Sequence, residues 1–166
     1  MEDYKRIASN IQKTTSERLW NIAGIIIFIS SIIFLIGVWK QLPDQVPAHY
    51  NAVGEVDRWG SKVELFILPL IGVFTLLFIQ PIENRPHIHN FPKRLNANNA
   101  HDFFLTSRKM INKIKNIVLI SFAAINVESI TIAMKWREGF GPYFLPVFIA
   151  VIFYPMIEYF IKVRRL

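Results

Sequence analysis

Cysteine is absent from this chain, which excludes disulfides, thiolate nucleophiles and thiolate-bound metals and leaves the redox compartment unreadable. Charge is sparse: 19% of residues are Asp, Glu, Lys or Arg, against a usual share of about 25%. Acids are scarcer than bases, 12 against 19, for a net charge of +7. The sequence holds no internal repeat, no low-complexity tract, no nucleophile-and-base grouping, no phosphate-cradling glycine loop and no zinc-protease helix motif. No residue is therefore assigned a catalytic role. What is abundant is apolar: 52% of residues and a mean hydropathy of +0.32. A basic chain can bind nucleic acid, but that needs Lys and Arg gathered on one soluble face. Here they stand in short blocks between apolar runs, the pattern of a membrane protein with basic loops on one side.

At 166 residues the chain suits one domain, 1–166, and the expected fold is an all-α, four-transmembrane-helix bundle. The first apolar run, 22–39, measures roughly 27 Å as a helix at about 1.5 Å per residue, close to a hydrocarbon core of roughly 30 Å. It ends in Gly-Val-Trp-Lys rather than at a small-residue cleavage site, so it reads as a retained span. Gly24, Ser31 and Val38 recur every seven residues along it, a seam that permits close helix packing. Before it, Ile7 and Ile11 suggest a short surface helix. Thr14-x-x-Glu17 reads as a capping box, in which two side chains satisfy unpaired amides at a helix start.

Span two is expected at 63–79, opened by a second capping box, Ser61-x-x-Glu64. Pro81, Pro86 and Pro92 are expected to keep the next stretch out of helix. From about Asn98, apolar Phe104, Met110, Ile111 and Ile114 alternate with Arg108, Lys109, Lys113 and Lys115, which reads as an interfacial amphipathic helix held by anionic lipid. It runs into span three, 117–134, and span four follows at 143–161. The tails and the 80–115 loop carry 14 Lys and Arg, the 40–62 and 135–142 connections five. The positive-inside rule then places both termini and the 80–115 loop in the cytoplasm and the 40–62 loop outside, in a multi-pass protein of the cytoplasmic membrane.

The 40–62 loop, LPDQVPAHYNAVGEVDRWGSK from Leu42 onward, is the densest polar stretch. Its prolines, Asn51 and Gly54 fit the restricted and positive-φ positions of tight turns. Two readings are open. In one, His49, Asn51, Gly54, Asp57, Arg58 and Lys62 build a structural cap over the helix ends. In the other they form an extracytoplasmic recognition site, since loops on a rigid scaffold are where binding function concentrates. His49 with Asp44, Glu55 or Asp57 makes a poor transition-metal set without a second His or Cys. His87, His89 and His101 read as solvated loop residues, so no metal or cofactor is assigned. Within span three, Glu128 and Thr131 are the intramembrane polar candidates. A carboxylate there is costly unless paired or facing a wet cavity. Ser121, Ala124, Glu128, Thr131 and Lys135 form one stripe, expected to face the bundle interior. Glu128 is expected to accept hydrogen bonds from His49, Asn51 or Arg58, or else to hold its head group in water. Glu158 reads as an i,i+4 partner of Lys162.

Leu42-Pro43, Val46-Pro47, His49-Tyr50-Asn51, Gly54 and Asp57-Arg58-Trp59-Gly60-Ser61-Lys62, together with Pro86-His87-Ile88-His89-Asn90-Phe91-Pro92 and Asn98-Asn99-Ala100, resemble a bacterial membrane domain of unknown function. That domain occurs in short stand-alone proteins and at the front of SdpI-like immunity proteins against a sporulation-delaying toxin. The resemblance implies a cell-envelope protein that recognises an extracytoplasmic ligand, with peptide-toxin immunity or envelope signalling as its role. The alternatives are a small transporter or transport accessory with Glu128 on its path, and a membrane enzyme using His49 and the loop acids. The partners expected are membrane lipids, an extracytoplasmic peptide or envelope ligand, and a second copy of the chain.

Overall fold

A computed structural model describes residues 2–166. Its elements in order are α1 (Glu2–Asn10), α2 (Thr15–Val38), β1 (Gln45–Tyr50), β2 (Val56–Ser61), α3 (Ile67–Glu83), α4 (Ala100–Ala133) and α5 (Phe144–Val163). Among the described residues, four helical stretches are long and apolar enough to cross a membrane: Thr15–Val38, Lys62–Glu83, Ala100–Ala133 and Phe144–Val163. Their bounds differ from the expected spans, and α2, α3 and α4 extend into polar sequence in which Glu17, Glu83 and Arg108 are buried.

α2 begins at the capping box as expected, with Thr14 accepting from the Glu17 amide and Glu17 reaching back to the Thr14 amide. Only one stripe of α2 is buried against protein: Gly24, Phe28, Ser31 and Leu35. Ile26, Ile29, Ile33 and Ile36 remain exposed on its other faces. A helix that is apolar all round but covered along one stripe has its remaining faces suited to hydrocarbon rather than water. The expected seam thus holds at Gly24 and Ser31. A Cβ on Gly24 would stand 2.3 Å from Asn116 Oδ1, so only glycine lets α2 approach α4 there.

The 3-10 turn Lys62–Phe66 opens with the second capping box and leads into α3. Contrary to expectation, Pro81 does not end this helix, which runs on to Glu83. Proline removes one helical donor, a loss that neighbouring groups can make good in a packed membrane helix. The gain is positional: one more turn brings Glu83 inside the fold.

The central element is α4, 34 residues long and about 51 Å at about 1.5 Å per residue. α2, α3 and α5 all pack on it, whereas α2 and α3 scarcely meet. Its first half is not the lipid-lying amphipathic helix expected from the charge pattern. Phe103, Phe104, Ser107, Arg108, Asn112, Lys115 and Asn116 are all buried. α1 lies on this half, with Ala8 and Ile11 packed against Ala100 and Phe104. The expected stripe along its second half also needs correcting. Glu128 is buried as expected, together with Asn126, Ile130 and Ala133, while Ala124 and Lys135 of the same stripe are exposed. α5 buries only Pro155 and Val163, and Glu158 pairs with Lys162 at 2.7 Å as expected and also with Lys113.

The loop between α2 and α3 is a β-hairpin, which the all-α expectation did not include. β1 and β2 pair antiparallel, Gln45 with Ser61 and Tyr50 with Val56, with irregular register around His49. Val46 and Leu42 drop into a core with Leu35, Leu65, Ile130 and Ala133, so the hairpin is seated on the helix ends. α1, the 84–99 connection and the end of α5 gather at the opposite end, where Arg94 bonds the Val163 carbonyl.

Candidate functional site

At the hairpin end, each motif residue has a local task. Asn51 Oδ1 accepts from the amides of Val53 and Glu55, both at 3.0 Å, and its Nδ2 donates to Glu55 at 3.0 Å. Asn51 thus closes the turn with its side chain; within this turn the positive φ is at Gly54, at +80°. Gly54 also meets the α4–α5 connection. The Phe140 amide donates to its carbonyl at 3.1 Å, and a Cβ on Gly54 would stand 2.6 Å from the Gly141 oxygen.

Three pairs of ionisable side chains flank the strands. His49 Nδ1 lies 2.6 Å from Asp57 Oδ1, with side chains 64% and 42% exposed. Arg58 donates to Glu64 Oε2 at 2.9 Å and to the Ala48 carbonyl at 3.3 Å. Glu64 Oε1 meanwhile accepts the Ser61 amide at 3.1 Å, so one carboxylate caps a helix and holds the arginine. Lys62 reaches Asp44 at 3.3 Å and covers the Trp39 ring.

Glu128 does not tie the hairpin down. Its Oε2 accepts from Arg137 at 2.8 Å, its Oε1 is buried with no partner, and its carbonyl accepts from Thr131. The tie is made one residue on: Tyr50 and Ser129 share a hydrogen bond of 2.7 Å between hydroxyls 79 residues apart. Tyr50 also packs edge-on against Phe140 at 4.8 Å. Burial, helped by the nearby Glu128 carboxylate and opposed by the Ser129 bond, pushes its phenol up to about 12.

Under the hairpin lies a cavity of about 280 Å³. His49, Tyr50, Arg58 and Glu64 line it on the hairpin side, Leu68 and Asn126 on the helix side. Of the sequence-derived candidates, His49 and Arg58 share this cavity. Asn51, Gly54, Asp57 and Lys62 build the frame around it, and Glu128 and Thr131 are not among the lining residues.

Sequence reasoning missed the polar cluster at the other end. Arg108 donates to Glu17 Oε1 at 2.7 Å and to the carbonyls of Ile11 and Gln12, both at 2.7 Å. Lys115, fully buried, donates to Glu83 and Gln80 at 2.6 Å and to Asn21 at 2.9 Å. Lys13 and Asn112 complete the contacts of the equally buried Glu83. The signal available was the pair of acids at the ends of apolar runs, Glu17 and Glu83, matched by bases at helical spacing on α4. Nearby, His89 uses both ring nitrogens, on Ser107 at 2.7 Å and the Ile82 carbonyl at 2.9 Å, and burial lowers its pKa.

Residues 25–73 match the model of a domain of unknown function, DUF1648, which bears out the resemblance to a membrane domain of unknown function. The matched stretch runs from α2 through the whole hairpin into α3. An uncharacterized protein of the archaeon Archaeoglobus fulgidus is 40% identical over 62 residues, covering 32% of this chain and 34% of its own length. The chain thus spans about a third of the curated relative it matches. No solved structure matches.

Proposed function

We propose that the protein is a multi-pass membrane protein whose hairpin recognises a ligand on the extracytoplasmic side, in the service of peptide-toxin immunity or envelope signalling. The observation that carries this reading is the cavity beneath the hairpin, walled by His49, Tyr50 and Arg58 from the densest motif in the sequence. A cap made only for stability would close over the helix ends; this one leaves a half-enclosed space beside them. β2 pairs with β1 alone among the described residues, so its outer edge also offers unpaired backbone groups of the kind that extended peptides join.

The transporter alternative has less to draw on. Between the cluster at the termini end and the cavity, the buried residues of α4 are Ile117, Leu119 and Ala123, an apolar interval that offers a polar path no ionisable group. Both termini are assigned to the cytoplasm by the charge count, 14 against five. The thiol-free background makes that directly testable with single cysteines. An impermeant maleimide on intact cells should label Ala52→Cys and spare Asn96→Cys; the reverse pattern would overturn the reading. Expression in a peptide-sensitive host tests recognition: protection that disappears with His49→Ala or Arg58→Ala, at unchanged protein level, supports it, and protection never observed with any antimicrobial peptide counts against immunity.

A further inference from the structure

We infer that Asn126 is the specificity-determining residue of the cavity under the hairpin, and that it selects an uncharged, amide-bearing apolar ligand. The inference rests on the proposed recognition role of that cavity and names the chemistry it would read. Every ionisable group on the cavity wall already has a partner: Arg58 is forked onto Glu64, and His49 is bonded to Asp57. A charged ligand would lose its hydration without gaining a free counter-charge, which is unfavourable in a partly enclosed site. Ser129 is satisfied by Tyr50. Leu65, Ile67, Leu68 and Ile125 supply apolar wall.

Asn126 is the exception. It lines the cavity, is 1% exposed, and neither its Nδ2 nor its Oδ1 has a hydrogen-bond partner. Native structures leave few buried polar groups unpaired, and each such group calls for an explanation. A carboxamide offers a donor and an acceptor side by side. Its complement is another group with the same pair: a primary amide, or the N–H and C=O that one residue of an extended peptide presents on the same side. Both are neutral, and both can carry an aliphatic chain for the apolar wall.

The two sources of that chemistry are separable with oleamide and with N-acetyl-leucyl-leucinamide, titrated into the protein in phosphatidylcholine nanodiscs, with methyl oleate as the control lacking an N–H. At least one amide probe should bind wild type at least tenfold more tightly than methyl oleate, and Asn126→Leu should abolish that preference. Because Asn126→Leu replaces a buried residue, the side-chain NH2 resonances of Asn126 in the wild-type protein provide a second reading, and they should shift on addition of the amide probe. Whichever probe binds identifies the source. No amide preference in wild type, as expected if Asn126 holds water alone, would overturn the inference; so would an unchanged preference in Asn126→Leu. If Arg58→Ala loses the probe while Asn126→Leu keeps it, the assignment to Asn126 fails and the recognition role of the hairpin stands. If peptide protection fails in cells while the amide preference is present, the biological reading fails and the chemistry of the cavity stands.

Discussion

The two ends of the helix bundle handle polar groups in opposite ways. At the end holding both termini, charge is buried and matched: Glu17 with Arg108, and Glu83 with Lys115 and Lys13. At the hairpin end the paired side chains His49–Asp57 and Arg58–Glu64 are exposed or half-exposed, and Asn126 has both amide atoms buried without a partner, whereas Asn112 and Asn116 at the other end each leave only the Oδ1 of an otherwise bonded amide unpaired. Matched buried charge fixes one arrangement of elements, because every alternative packing strands an ion. Unmatched polar atoms beside a cavity leave something to be completed from outside. The buried cluster at the termini end therefore has the chemistry of a staple, and the hairpin end that of the recognition site proposed for it.

The sharpest way to break that comparison is at Lys115. Removing one partner of a buried pair costs about 3–5 kcal/mol where no other counter-charge remains, and the lower part of that range applies here because Lys13 still reaches Glu83 at 3.2 Å. Lys115→Met should lower the unfolding midpoint in detergent more than any single change at the hairpin end. Adding Glu83→Leu, so that both charges go together, should restore most of the loss, although Lys13 also faces Glu83 and gives up its partner. A Lys115→Met variant as stable as wild type would remove the staple.

Gly54→Ala comes next. It sets a Cβ at φ +80° and against the Gly141 oxygen, and strain of that type costs roughly 1–3 kcal/mol. The hairpin should loosen from the α4–α5 connection while the Glu83–Lys115 cluster keeps its protection from hydrogen exchange. Uniform loss of protection would mean that the ends are not independent.

Tyr50 gives a pH-dependent test of the same seam. Its phenol is held neutral in the folded state up to about 12, above the ordinary value near 10. A raised folded pKa means that the stability from this group is complete below about pH 10 and is lost as pH climbs from there towards 12. Wild type should lose stability over that alkaline window and Tyr50→Phe should lose less of it. At neutral pH, Tyr50→Phe leaves Ser129 without its partner and should cost about 1 kcal/mol.

Much of this architecture can be read from local pattern. Thr14-x-x-Glu17 and Ser61-x-x-Glu64 are contiguous signals, and both boxes form. The apolar runs mark the four long helices because burial in hydrocarbon depends on composition along the chain alone. Contacts across the chain were not legible. Arg108 finds Glu17 at a separation of 91 residues, and nothing near Arg108 in sequence announces that partner, so its row of bases reads as a solvated face. Pro81 reads as a helix end because its missing donor is a local fact, while the packing that tolerates it is not. The hairpin was hidden by Pro47, which weakens a strand reading and is accommodated here in a strand with a single paired neighbour. Asn126, a lone polar residue in an apolar run, gains meaning only from the absence of partners around it.

The smallest expected stability effect separates site from staple most cleanly. His49 and Asp57 lie close, at 2.6 Å, but both are well exposed, and an exposed pair contributes about 0–1 kcal/mol. His49→Ala should therefore leave the unfolding midpoint within error of wild type. If His49 serves only to frame a cap, binding of an amide probe should be equally unmoved, since Tyr50, Gly54 and the Leu42–Val46 core still seat the hairpin. If the cavity is a site, His49→Ala should weaken probe binding severalfold at constant stability, because the side chain forms part of the wall a ligand must touch. A variant that loses stability and binding together would erase the distinction between the two ends, because the hairpin pair would then be performing the structural task assigned to Glu83 and Lys115.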